Sequence, residues 1–281
     1  YFGERQYLMK YELICLDIDG TLLDDEKRLL PEVKEKVRQA AEKGMKIVLG
    51  SARMPAGVES IAKELGLECI MICDAGAYIL KGEECIASRH LSAASMREVY
   101  EEYAERYGLN MWIFRDRDWY ITGMDDHIAR EIQIIGYDPQ TVDAKETADR
   151  WEKEQTGPSK LLFAAEPEQI RQIQGEIRAK LSLGTWPDID VACSSDIFLE
   201  IFPKGVDKGS ALLEICRGLK IPAEKAIAFG DSEMDIPMIE TAGLGVAMGN
   251  AAESLKKKAD FVTITNNEAG VAYALDNLIQ I

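Results

Sequence analysis

The chain has 281 residues, 47% of them apolar, which is enough for one large core or two modest ones and excludes a disordered polypeptide. Its 49 acidic against 33 basic residues leave a formal charge of −16, so no global field draws in a polyanion and nucleic acid is not an expected partner. No apolar run reaches the roughly 18 residues of a membrane span, no signal-peptide core can be drawn, and six cysteines without a CxxC pair read as reduced, buried thiols. A cytoplasmic protein with no membrane partner is the expectation.

Residues Tyr1 to Leu8 carry no periodicity and read as a leader, a tag remnant or an alternative start before Met9. Three short apolar runs follow, Leu13 to Leu16, Lys46 to Leu49 and Cys69 to Ile72, as expected of strands buried on both faces of a parallel sheet. Helical spacing lies between them: Val33, Val37, Ala40 and Ala41 up to Gly44, then Val58, Ile61, Ala62 and Leu65 up to Gly66. This is βαβαβ winding. Between about 84 and 203 the texture changes, with strands at Asn110 to Phe114 and Asp118 to Thr122 around the turn Arg115-Asp116-Arg117. Amphipathic helices at about 92–107 and 168–181 accompany them. The α/β pattern then returns, with a helix from Lys208 to Leu219 and strands at Ala226 to Phe229, near Gly245 to Met248, and at Phe261 to Ile264. The expected organisation is a discontinuous α/β core of residues 9–83 and 204–281, interrupted by an α+β domain of residues 84–203.

Chemistry concentrates at strand ends, where open α/β sheets bind ligands. Asp17-Ile18-Asp19-Gly20-Thr21 ends the first buried strand. Two carboxylates at i and i+2 can share a pocket there, one as nucleophile and one as proton carrier, although Asp-Gly can equally just make a turn. Gly230-Asp231-Ser232-Glu233-Met234-Asp235 follows another buried strand, and its Ser232/Asp235 spacing is also a helix-capping box. If the two strands share a sheet, Asp17, Asp19, Asp231 and Asp235 converge, and such crowding requires protonation or a hard divalent cation, for which Mg²⁺ is the default. Asp207 can cap a helix beginning at Lys208, and Ser51 one running from Ala52-Arg53, which sets Lys208 and Arg53 at positive helix ends. A bound phosphate explains cations there, with Ser51 donating to it; the alternative is that both side chains simply reach solvent.

Several other signals carry little weight. The glycines of Gly243 to Gly249 fall in and beside a strand, not between strand and helix as a dinucleotide loop requires. Cys69 and Cys73 read as strand core, His90 and His127 as surface positions, and Trp112, Trp119 and Tyr120 as core of the inserted domain or lining of a substrate pocket.

Asp-x-Asp-Gly-Thr at 17–21, Ser51, Lys208 and Gly-Asp-x-x-x-Asp at 230–235 resemble, in order and spacing, the four motifs of the haloacid dehalogenase superfamily. The insertion after the third strand and Val246 to Ala251 resemble its Cof-type phosphatases with a C2 cap. The resemblance runs from about Met9 to the end of the chain. It implies a Rossmann-like parallel core with an inserted α+β cap, and a phosphatase for a small phosphorylated metabolite: a sugar phosphate, sugar-alcohol phosphate or flavin-type phosphate. It further implies Asp17 as nucleophile, Asp19 as acid and base, and Mg²⁺ on the Asp17 carboxylate, the Asp19 backbone carbonyl and Asp231. Ser51 and Lys208 would bind phosphate, and Asp235 would support metal and lysine. The chain departs from the pattern at Ala52, Ala75 and Met234, where these phosphatases carry Gly, Asn and Asn. A phosphomutase of the same superfamily and a non-catalytic metabolite-binding protein are the alternatives.

Overall fold

The structure, a computed structural model, describes residues 11–279; the proposed leader and Met9 lie outside the described residues. Its residues cluster into two compact units, one running up to Val48 and resuming at Leu212, the other spanning Leu49–Ala211.

The first unit opens with β1 (Leu13–Asp17), whose residues are all buried, as a strand covered on both faces must be. Then α1 (Pro31–Glu42) starts on a proline, whose fixed φ suits a first helical position, and buries Val33, Val37 and Ala40. The chain returns through β2 (Lys46–Gly50).

The second unit takes up the chain in α2 (Pro55–Leu65), β3 (Ile70–Cys73), β4 (Tyr78–Lys81) and β5 (Glu84–Ser88), with β3, β4 and β5 pairing antiparallel in that order. The β4–β5 turn covers residues 82–83, so the anticipated boundary at 83/84 falls at this hairpin. Next come α3 (Ala93–Val99), which continues as a wider-wound π turn over Tyr100–Glu105, β6 (Met111–Arg115), β7 (Asp118–Ile121), α4 (Asp126–Ile135), β8 (Gln140–Thr141), α5 (Ala144–Lys153), β9 (Lys160–Ala164), α6 (Pro167–Ser182), β10 (Ile189–Ser195) and β11 (Phe198–Pro203). Six of these strands form a sheet of order β10-β11-β9-β6-β7-β8. Side-chain alternation gives it two apolar faces. Met111, Ile113, Leu161 and Phe163 pack on one with α3, α5 and α6, while Trp112, Phe114, Trp119 and Leu162 pack on the other with Met54 and Ile128. Trp112 and Trp119 are therefore core of this unit, as alternation implied, and Tyr120 stands edge-on to Trp151 on the opposite face.

The last stretch holds α7 (Lys208–Leu219), β12 (Ala226–Gly230), α8 (Ile236–Thr241), β13 (Leu244–Ala247), α9 (Glu253–Lys256), β14 (Phe261–Val262) and α10 (Gly270–Ile279). In the first unit the strand order is β14-β13-β12-β1-β2, with β1, β12, β13 and β14 paired in parallel. Asn266 and Asn267 brace the loop after β1 through Leu23 O and Asp25. All six cysteines are free, and Cys85 is exposed and Cys193 half-buried, so the expectation of buried thiols holds for the other four. Among the described residues no helix is long and apolar enough to cross a membrane.

Candidate active site

Parallel pairing of Leu16 with Phe229 sets the carboxyl ends of β1 and β12 side by side. Asp17 ends one strand and Asp231 follows the other, and these two with Asp235 offer carboxylate oxygens all within 4.8 Å of one another. Asp17 is 5% exposed and Asp235 fully buried. The anticipated convergence therefore occurs for three of the four aspartates. Asp19 stands apart, its carboxylate 36% exposed and 2.8 Å from the Lys27 ammonium.

The turn between Asp17 and Thr21 explains why Gly20 is required. Gly20 has φ +82°, and a Cβ there would lie 2.4 Å from Asp231 Oδ2, so any side chain would intrude on the carboxylates. Thr21 Oγ1 donates to Asp231 Oδ1 at 3.0 Å, and Asn250 Nδ2 donates to Gly20 O at 2.8 Å. Asp235 Oδ2 accepts from the Asp231 and Ser232 N–H groups at 3.1 and 2.9 Å and from Ser232 Oγ at 2.9 Å. The Ser232/Asp235 capping box is thus present, and the carboxylate that makes it also belongs to the trio. Three close carboxylates, two of them buried, are the donor set of a hard divalent cation, and the residues fit one.

The remaining anticipated residues lie in the second unit. Asp207 Oδ1 accepts from Ser210 N at 2.7 Å, so α7 is capped as expected, and Lys208, its first residue, is 3% exposed. The placement of Ser51 and Arg53 in a capped helix start is corrected. Helix α2 begins at Pro55 with Met54 as its cap residue, because the residue before a proline is pushed out of helical backbone and Met54 is extended at ψ 163°. Arg53 precedes that helix, and no dipole argument applies to it. Instead Ser51 Oγ accepts from Arg53 N at 3.1 Å, which leaves the hydroxyl proton for a further acceptor.

The turn around Ala75, one of the departures from the family pattern, ties these elements together. Ala75 N donates to Ser51 O and Asp74 N to Arg53 O, each at 3.0 Å. Gly76, at φ +118°, lies so close to Asp207 that a Cβ would meet its carbonyl oxygen at 2.5 Å. The Ser51 loop and the start of α7 are thus both keyed to residues 74–76. Asp74 is fully buried, and burial pushes its carboxyl up to about 6 against the pull of Lys160 and the Ser159 hydroxyl. An acidic residue directly after an apolar strand was the available signal, the same one that marked Asp17.

The sequence matches the haloacid dehalogenase-like hydrolase family over residues 14–275. It is 31% identical over 275 residues to a putative phosphatase of Haemophilus influenzae, covering 95% of this chain and 98% of that one. Identity to a 5-amino-6-(5-phospho-D-ribitylamino)uracil phosphatase of Bacillus subtilis is 29%, over 94% of each chain. Among solved structures, a haloacid dehalogenase-like hydrolase from Bacteroides thetaiotaomicron superposes with a TM-score of 0.81 at 28% identity, covering 95% of this chain and 99% of that one. The strand-end aspartates, the parallel sheet around them and a family match that spans nearly the whole chain agree, and the chain belongs to the haloacid dehalogenase-like hydrolases.

Proposed function

We propose that this hydrolase is a cytoplasmic, Mg²⁺-dependent phosphatase that cleaves a small phosphorylated metabolite through an aspartyl-phosphate. The observation that carries the reading is the carboxylate trio at the ends of β1 and β12. In phosphoryl transfer the protein mainly positions groups and neutralises charge, and a cation held by Asp17 and Asp231 would supply that neutralisation at the phosphoryl oxygens. Asp235 would keep Asp231 in place through the Asp231 N–H it accepts.

Asp17 attacks phosphorus, and the bond to the leaving oxygen breaks as the acyl phosphate forms. Asp19 protonates that oxygen and then takes a proton from the water that hydrolyses the acyl phosphate. Its partial exposure suits a group that must exchange protons with incoming molecules. Ser51 donates its hydroxyl proton to a phosphoryl oxygen, and Lys208 brings a positive charge to another, with Arg53 adjoining them.

Residues 9–83 and 204–281 form the catalytic core in this reading, and residues 84–203 select the organic part of the substrate. Phosphatase relatives, one of them acting on a ribitylamino-uracil phosphate, support a sugar, sugar-alcohol or flavin-type phosphate. The test is release of inorganic phosphate from a panel of such metabolites with Mg²⁺. Stoichiometric phosphate and free alcohol are expected; a positional isomer with little phosphate would make the enzyme a mutase, and no turnover of any of them would overturn the phosphatase.

A further inference from the structure

The Ser51–Arg53 loop is held by its carbonyl oxygens. Ser51 O and Arg53 O accept from the Ala75 and Asp74 N–H groups. Ala52 O, between them, accepts from Lys160 Nζ at 2.5 Å, across 108 residues of chain. With three successive carbonyls held from outside, the peptide planes of this loop cannot rotate independently. Ala52 O shares a peptide plane with the Arg53 N–H that donates to Ser51 Oγ, so the bond from Lys160 helps to aim the Ser51 hydroxyl without touching Ser51 itself.

Lys160 is an unusual residue to find there. It opens β9 and is 2% exposed, and burying an ammonium is costly unless it is compensated. Compensation comes from Glu200 Oε2 at 3.1 Å and Asp74 Oδ1 at 3.9 Å, while the Phe114 ring lies 4.6 Å below the ammonium. Glu200, on β11, is opposite Leu162 in register, so it shares a sheet face with Lys160 two residues along β9. Ser159 Oγ donates to Asp74 Oδ2 at 2.7 Å and so fixes the second carboxylate as well. An apolar residue here would leave Glu200 and Asp74 without their counter-charge and could not donate to Ala52 O.

We propose that Lys160 is a positioning residue for the hydrolysis: held between Glu200 and Asp74, it fixes the Ala52 carbonyl and thereby aims the Ser51 hydroxyl at the phosphoryl group. This rests on the reading of Ser51 as a phosphate ligand. The inserted α+β segment then supplies part of the phosphate site's rigidity.

The test uses the full-length protein with inorganic phosphate as competitive inhibitor. Lys160→Met is expected to weaken phosphate inhibition and to lower kcat/KM, each about tenfold, the scale of one well-aimed hydrogen bond to a charged group. The Mg²⁺ concentration giving half-maximal activity stays unchanged, and Lys160→Arg recovers part of the loss. In a Ser51→Ala background Lys160→Met should add almost nothing, because both act on one hydroxyl. Glu200→Gln keeps the ammonium and should shift phosphate inhibition in the same direction by less, which gives a reading even if Lys160→Met fails to fold. An unchanged phosphate inhibition constant in the folded variants, or a full additional loss in the Ser51→Ala background, would show a purely structural lysine. If Ser51→Ala alone leaves phosphate inhibition unchanged, the Ser51 assignment fails and this inference falls with it.

Discussion

Two clusters of buried carboxylates, one in each compact unit, resolve the same electrostatic problem in different ways. In the second unit Asp74 and Glu200 face the Lys160 ammonium, a compensating charge built into the chain and locked in place by packing around Phe114. In the first unit Asp17, Asp231 and Asp235 stand within chelating distance of one another, braced by the Thr21 hydroxyl and by backbone N–H groups. A lysine on a strand can hold a loop still, but it cannot leave when a substrate arrives. A carboxylate trio suits an exchangeable cation that bridges to a ligand. The lysine-compensated arrangement builds a rigid support; the carboxylate trio offers the donor set of a cation site.

Substitution in the carboxylate trio should have the largest effect. Asp17→Asn keeps the volume and removes the proposed nucleophile, so turnover should fall by about 10³-fold or more with the circular dichroism spectrum intact. Substantial activity in the folded variant would take Asp17 out of the reaction. Next in size, chelator should abolish activity and Mg²⁺ restore it, while Asp231→Ala should raise the Mg²⁺ needed about tenfold or more, or prevent rescue. A wild-type enzyme fully active without divalent ions would erase the contrast between the clusters.

The smallest effect belongs to the internally compensated cluster, and it appears in stability. Burial raises the Asp74 carboxyl from 3.8 to about 6, so the folded protein holds this proton more tightly than the unfolded chain. Its contribution is fully present below about pH 4 and is lost as pH rises through 6. Asp74→Asn keeps an acceptor for Ser159 without a titrating charge. The variant should therefore gain stability relative to wild type as pH rises from 4 to 7, on the order of 1–3 kcal/mol by urea unfolding. A difference that stays flat across that range would mean that the buried carboxylate does not titrate there.

Legibility followed the length scale of the interactions. The capped start of α7 at Asp207-Lys208 and the Ser232/Asp235 capping box are contacts between residues three apart, and both were readable from spacing. Spacing alone starts α2 too early because Ser51 is a good cap residue, whereas Pro55 and its restriction on Met54 decide where that helix begins. The β4–β5 hairpin carries no comparable signal: β5 is mostly exposed and lacks an apolar face to announce it.

The sequence by itself determined the strand-end aspartates, the α/β and α+β texture and the family, because these rest on local patterns and on motifs fixed in order along the chain. Tertiary structure alone decided that Asp235 joins Asp17 and Asp231 while Asp19 stays outside with Lys27. It alone decided, too, that Lys160 reaches Ala52 and meets Glu200 and Asp74. Alternation along a strand says which face a residue occupies, but the partner waiting there comes from strands and loops tens of residues away, and only the packing of the sheet brings them together.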